Sequence, residues 1–150
     1  LCEMSNFKGR VNMGPYSTPE IVSELSKDDR CLYMTDAWVE DHGIQNPAIY
    51  DCFPKFLKFS LDGTGDTMPN TIRKMTGAVA DRFSIKDRGY IKPGYYADIT
   101  VFDESKLRNG ETHQQQSFGI EMVYINGVKV LDDDTLNVEA IRHSGRAMRG

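Results

Sequence analysis

The chain has 150 residues, which is enough for about one domain. Its hydrophobic residues (39 %) and charged residues (27 %) are in ordinary globular balance, and no apolar run reaches the ~18 residues of a membrane span. The net charge of −4 and the absence of a long basic cluster argue against a nucleic-acid partner. We therefore expect a globular protein with neither a nucleic-acid nor a membrane partner.

The three cysteines, Cys2, Cys31 and Cys52, are far apart and form no C-x-x-C pair. This usage favours neither a disulfide framework nor a zinc knuckle, and it indicates a reducing compartment, which we expect to be the cytoplasm. The chain begins with Leu1 instead of Met, so we expect a processed or truncated product whose targeting signal, if it has one, is out of view.

Helices and one buried strand are predicted for the first part of the chain. Ser17 as N-cap and Glu20 three residues later form a capping box, which predicts a helix up to about Lys27. The continuous apolar run 31–34 then predicts a strand buried on both faces, which ends just before Asp36. Helix, turn and buried strand together form one α/β unit.

Two further helices are predicted before residue 84, one from about Pro54 and one from about Thr67. The second of these carries an apolar face at spacings of four, three and four residues. The residues of that face are Met68, Ile72, Met75 and Val79.

After Phe83 the sequence changes to short runs of β-type residues. The runs 97–102 and 121–125 alternate in polarity, and the return strand is predicted at 128–131. Between the last two, Asn126-Gly127 is the strongest short-range signal of a hairpin turn. We place a boundary between an α/β part and a β part at 84–89.

Asp36 is the one catalytic candidate that pattern alone singles out. A carboxylate just beyond a buried parallel-type strand occupies the position where barrel and doubly wound enzymes carry catalytic groups. The alternative is an aspartate that caps a loop. His42, His113 and His143 have no metal-ligand spacing, so we expect solvent-exposed loop histidines.

Residues 71–103, TIRKMTGAVADRFSIKDRGYIKPGYYADITVFD, resemble the C-terminal region of the metal-dependent amidohydrolases. Residues 89–98 have the form G-x-I-x-P-G-x-x-A-D, which in that superfamily joins the barrel to a small β-sandwich, and residues 119–130 resemble the final hairpin. The stretch KMTGAVADRF followed by KDRG is similar to the N-acyl-D-amino-acid deacylases, also called D-aminoacylases, as is the stretch 46–54.

The resemblance implies an α+β chain that is the C-terminal fragment of an amidohydrolase. Residues 1–86 would be the C-terminal end of the barrel catalytic domain, with the last strand and helices of a (β/α)8 barrel. Residues 87–150 would be part of the small β-sandwich domain. Tyr33-Met34-Thr35-Asp36 resembles the Ser/Thr-Asp motif that ends the eighth barrel strand, which implies that Asp36 is a metal ligand and the catalytic proton shuttle.

The implied activity is that of a zinc-dependent hydrolase of non-peptide C–N amide bonds, namely an N-acyl-D-amino-acid deacylase acting on a small N-acyl amino acid. The family's H-x-H, its bridging ligand and its two later histidines have no counterpart here. We therefore expect the isolated chain to be inactive, to lose zinc, and to self-associate or pack with a missing N-terminal part. Asn46-Pro47 replaces the family's His-Pro, which leaves the substrate type open.

Two alternatives remain at this point. One is a noncatalytic structural or assembly module, which the missing metal ligands favour. The other is part of a cyclic amidase of the dihydroorotase type, which only substrate turnover would distinguish from a deacylase.

Overall fold

The computed structural model describes residues 17–37, 39, 41, 46–111 and 117–147. Helices dominate up to residue 82, and a small sheet with two short helices follows. The elements are α1 (Pro19–Lys27), α2 (Ala48–Leu61), α3 (Met68–Met75), α4 (Gly77–Arg82), β1 (Ile99–Phe102), α5 (Glu104–Asn109), β2 (Ile120–Ile125), β3 (Val128–Asp132), β4 (Thr135–Leu136) and α6 (Val138–Ser144). Among the helices of the described residues, none has the length and apolar character needed to cross a membrane.

Helix α1 lies where the sequence predicts it, but Thr18, not Ser17, is its N-cap. Thr18 has the extended backbone of a cap residue, and its hydroxyl oxygen accepts from the Ile21 backbone N–H at 3.4 Å. Pro19 then occupies the first helical position, where its missing N–H is not needed. The predicted N-cap is therefore wrong by one residue, and Glu20 lies at the second helical position instead of the third that a capping box requires.

Helix α2 begins at Ala48, six residues before the predicted start at Pro54. The Asn46 side-chain oxygen accepts from the Ala48 backbone N–H at 3.0 Å and so supports the new start. Pro54 lies inside the helix, on the same buried face as Leu57. Proline was a misleading start signal here because tertiary packing tolerates it within the helix.

The helix predicted from Thr67 is divided in two at Thr76, whose backbone (φ −130°, ψ −93°) leaves the helical region. The Thr76 hydroxyl donates to the Ile72 carbonyl at 2.7 Å, a bond that often bends helices. Beyond it, the ring of Tyr90 lies so close to Gly77 that a Cβ there would be 2.5 Å from Cζ. The bend and the glycine together let the Tyr90 ring pack on the backbone.

The buried face of α3 and α4 also differs from the predicted apolar face. Thr71 and Lys74 have no exposed surface, and Gly77 and Ala80 continue the same buried line. The predicted face is only half-buried. Its residues are Met68, Ile72, Met75 and Val79.

The predicted strand at 31–34 is absent: these residues form no strand in the structure. A strand requires a hydrogen-bonded neighbour, and none of the described strands pairs with this run. The Met34 side chain is 69 % exposed, whereas a strand buried on both faces would enclose it. The Met34 carbonyl instead accepts from the Cys52 thiol at 3.2 Å.

Within the described residues, four strands form one antiparallel sheet in the order β1-β2-β3-β4. The predicted hairpin is confirmed: Ile125 pairs with Val128 across Asn126 and Gly127, which both have positive φ (50° and 83°). Such a turn matches the right-handed twist of its flanking strands. The sheet and the helices make an α+β arrangement, as expected.

Candidate active site

Asp36 lies at the end of the segment 31–35, where its backbone turns into the left-handed region (φ 48°) and its side chain is exposed. Aspartate adopts this conformation more readily than most residues because its short polar side chain tolerates it. The Asp36 carboxylate thus follows an apolar run that is not a strand, and its catalytic role stays a prediction.

Contacts with α1 and α2 hold the residues just before Asp36. The ring of Tyr33 packs on Phe56 with centroids 4.4 Å apart, and its hydroxyl donates to the Ser26 carbonyl at 3.4 Å. One residue later, the Cys52 thiol donates to the Met34 carbonyl. Burial raises the pKa of both Tyr33 and Cys52, so both groups are protonated donors at neutral pH.

Lys74 is connected to this segment through the Ser26 carbonyl. It was not identified as a candidate residue from the sequence. Its ammonium has no exposed surface and donates to the Ser26 carbonyl at 2.7 Å and to Asp66 Oδ2 at 2.8 Å. Burial alone would raise the pKa of Asp66. Hydrogen bonds from Lys74, the Thr67 backbone N–H and the Asn70 side chain outweigh burial and lower that pKa below its ordinary value.

One sequence signal could have pointed to this pair. Asp66 and Lys74 stand eight residues apart, on either side of the helix start predicted at Thr67. An acidic residue just before a helix and a basic residue in its last turn are both favoured by the helix dipole.

The described residues do not build a metal site. No group of three or more histidine, cysteine, aspartate or glutamate side chains within 17–37, 39, 41, 46–111 and 117–147 could hold a metal ion. His143 is exposed on helix α6, not in a loop, and its ring contacts Glu139 Oε1 at 2.9 Å. His42 and His113 lie outside the described residues. A zinc site needs three or four ligands, so Asp36 alone does not fit one.

No protein-family model matches the chain. D-aminoacylase of Alcaligenes xylosoxydans xylosoxydans is 30 % identical to it over 107 residues, covering 69 % of this chain and 22 % of that enzyme. N-acyl-D-aspartate deacylase of the same organism is 33 % identical over 76 residues, covering 49 % of this chain and 15 % of that enzyme. A solved structure of D-aminoacylase with a binuclear metal center superposes with a TM-score of 0.51 at 30 % identity, covering 64 % of this chain and 21 % of that one. The chain spans about a fifth of the length of the curated relatives it matches.

Proposed function

Because the homologues of this chain are D-aminoacylases and N-acyl-D-amino-acid deacylases, we propose that it is the C-terminal portion of a metal-dependent amidohydrolase. The bond that it hydrolyses would be a non-peptide C–N amide bond, and its substrate would be a small N-acyl-D-amino acid. The observation that carries the proposal is the identity with D-aminoacylase over 107 residues. The free thiols Cys31 and Cys52 support a cytoplasmic site of action.

In this proposal Asp36 is the catalytic carboxylate and one of the metal ligands. Its exposed side chain follows a segment that hydrogen bonds hold at Tyr33 and Met34, which supports a carboxylate that is positioned before substrate binds. A carboxylate oxygen held in this way can take a proton from an attacking water and return it to the leaving amine. We propose zinc as the metal, with its other ligands supplied from outside the described residues.

The test is Asp36→Asn in the full-length protein that contains this chain. The substitution keeps the size of the side chain and removes its basic oxygen, so deacylation of an N-acetyl-D-amino acid should fall by about 10²- to 10⁴-fold. The melting temperature should hardly change, because the side chain is exposed. Asp41→Asn, at another exposed aspartate five residues on, is the matched control and should keep normal turnover.

The loop-cap alternative predicts the opposite pair of results. If Asp36 only capped a loop, its loss would cost about 1 kcal/mol of stability and leave turnover nearly intact. Near-normal turnover with a lowered melting temperature would therefore end the catalytic proposal.

A noncatalytic structural or assembly module is the second candidate, favoured because the described residues contain no group of three or more side chains that could hold a metal ion. Metal analysis of the full-length protein separates the two. Metal bound tightly and required for deacylation supports the hydrolase, and a metal-free, inactive full-length protein supports the module.

A further inference from the structure

We propose that Lys74 is a positioning residue for Asp36, an inference that rests on the function proposed above. Two donors converge on one acceptor: the Lys74 ammonium and the Tyr33 hydroxyl both bind the Ser26 carbonyl oxygen, at 2.7 and 3.4 Å. Ser26 is buried in the last turn of α1, and Tyr33 is three residues before Asp36. The ammonium thus fixes the Ser26 carbonyl, which is the acceptor that holds the segment 33–36.

The ion pair of Lys74 with Asp66 is buried on both sides, with side-chain exposures of 0 % and 11 %. A buried pair is a weak source of stability because removing two charges from water offsets their attraction, and an apolar replacement is often neutral. A role in orienting the Ser26 carbonyl explains the pair better than a contribution to stability does. Asp66 holds the ammonium in one place, and the ammonium in turn holds the Ser26 carbonyl.

The path from this pair to Asp36 is short. Three residues of extended chain span at most about 11 Å. A displacement of Tyr33 therefore changes the position of Asp36. The ring of Tyr33 on Phe56 sets its lateral position, and its hydroxyl sets its distance from α1. Loosening the Ser26 carbonyl would leave the ring in place but release the hydroxyl.

The experiment removes both charges together, in the full-length protein, as the double variant Lys74→Met/Asp66→Asn. Removing both avoids leaving one buried charge without its partner, so the melting temperature should stay close to that of the wild type. The kcat should fall by about 10- to 100-fold, as expected when a reacting group is misplaced by about 1 Å, while KM changes little. Lys129→Met, which breaks an exposed lysine–aspartate pair on the β3 hairpin, is the matched control and should alter neither quantity.

A double-mutant cycle with Asp36→Asn distinguishes positioning from general loosening. If Lys74 acts through Asp36, the double variant should cost less than about 2-fold in the Asp36→Asn background, since interacting sites are not additive. A full additive loss in that background would overturn the inference, and so would wild-type kcat in the double variant alone.

Tyr33→Phe is the second variant, which keeps the proposal testable if the charge variant does not fold. It retains the ring on Phe56 and removes only the hydroxyl, so kcat should fall several-fold with the same non-additivity. An unchanged kcat for Tyr33→Phe would overturn the inference. If Asp36→Asn itself keeps normal turnover, the proposed function fails instead, a result distinct from failure of the positioning role alone.

Discussion

Asp98 and Asn126 are 28 positions apart in sequence, and the Asn126 backbone N–H donates to Asp98 Oδ1 at 2.8 Å. The Arg88 guanidinium completes the contact: it donates to the other oxygen of the Asp98 carboxylate and to Asn126 Oδ1, the latter at 2.7 Å. It also lies 4.3 Å from the centre of the Tyr96 ring. The segment 88–98 has neither helix nor strand, and these side chains attach it to the hairpin turn. The aspartate of the G-x-I-x-P-G-x-x-A-D motif therefore has a structural role, which is to accept hydrogen bonds from the hairpin turn and from Arg88.

Replacing Asp98 by alanine should destabilise the protein by about 1–2 kcal/mol, because the turn N–H and the guanidinium both lose their acceptor. Urea unfolding of the variant and the wild type measures this loss. Asp134→Ala, at an exposed aspartate in the turn between β3 and β4, is the control and should stay within about 0.5 kcal/mol of the wild type. Equal stabilities for the two variants would contradict the structural role of Asp98.

Gly89→Ala should be much more destabilising than Gly94→Ala, although both glycines have positive φ (82° and 87°). A Cβ at Gly89 would lie 2.6 Å from the Ala80 Cβ and 3.1 Å from the Thr76 carbonyl oxygen, whereas a Cβ at Gly94 meets nothing within 4 Å. Backbone strain alone costs about 1–2 kcal/mol, and the clash at Gly89 adds to it. Thermal unfolding of the two variants side by side tests the difference, and matching melting temperatures would contradict it.

The lowered pKa of Asp66 predicts how stability depends on acid. A carboxylate whose pKa is lower in the folded state stabilises that state above its unfolded pKa of about 3.9. The contribution disappears as the pH falls through the folded pKa. Asp66→Asn should therefore lower the melting temperature at pH 7 and flatten its decline below about pH 4. Asp134→Asn, measured in parallel, should keep the wild-type curve.

The 150-residue chain alone should self-associate. Several large apolar residues are largely exposed, among them Met34 at 69 %, Phe83 at 68 % and Ile91 at 88 %. Exposed apolar surface of this kind promotes association. Phe83→Ser/Ile91→Lys should shift the light-scattering mass toward the monomer, and a monodisperse wild-type monomer at high concentration would contradict this.

The elements that the sequence predicted well are those determined by local chemistry. The hairpin at Asn126-Gly127 was predictable because its two positive φ angles favour those residue types. The extent of α1 up to Lys27 was predictable from the cap-type residues at its start, although its cap lies at Thr18, next to the predicted Ser17. In the hairpin turn and at the start of α1, the residues that interact are also close together in the sequence.

The missed features depend on residues that are distant in sequence. The run 31–34 has the composition of a buried strand, but strand formation depends on a partner that local composition does not encode. Lys74 and Ser26 are 48 positions apart, so no periodicity could have shown their contact. Asp36, in contrast, was predictable as a candidate because the end of an apolar run is a local feature.

Lys58 and Arg108 each supply a cation to the carboxyl end of the other's helix. The Lys58 ammonium donates to the Arg108 carbonyl, and the Arg108 guanidinium donates to the Leu61 carbonyl at 2.6 Å. Carbonyls at a helix C-terminus carry partial negative charge, so each of the two cations is favourable where it lies. The two helices lie on opposite sides of the boundary predicted at 84–89. A protease that cleaved that segment would therefore leave two pieces that migrate as one species in native buffer and separate only in denaturant.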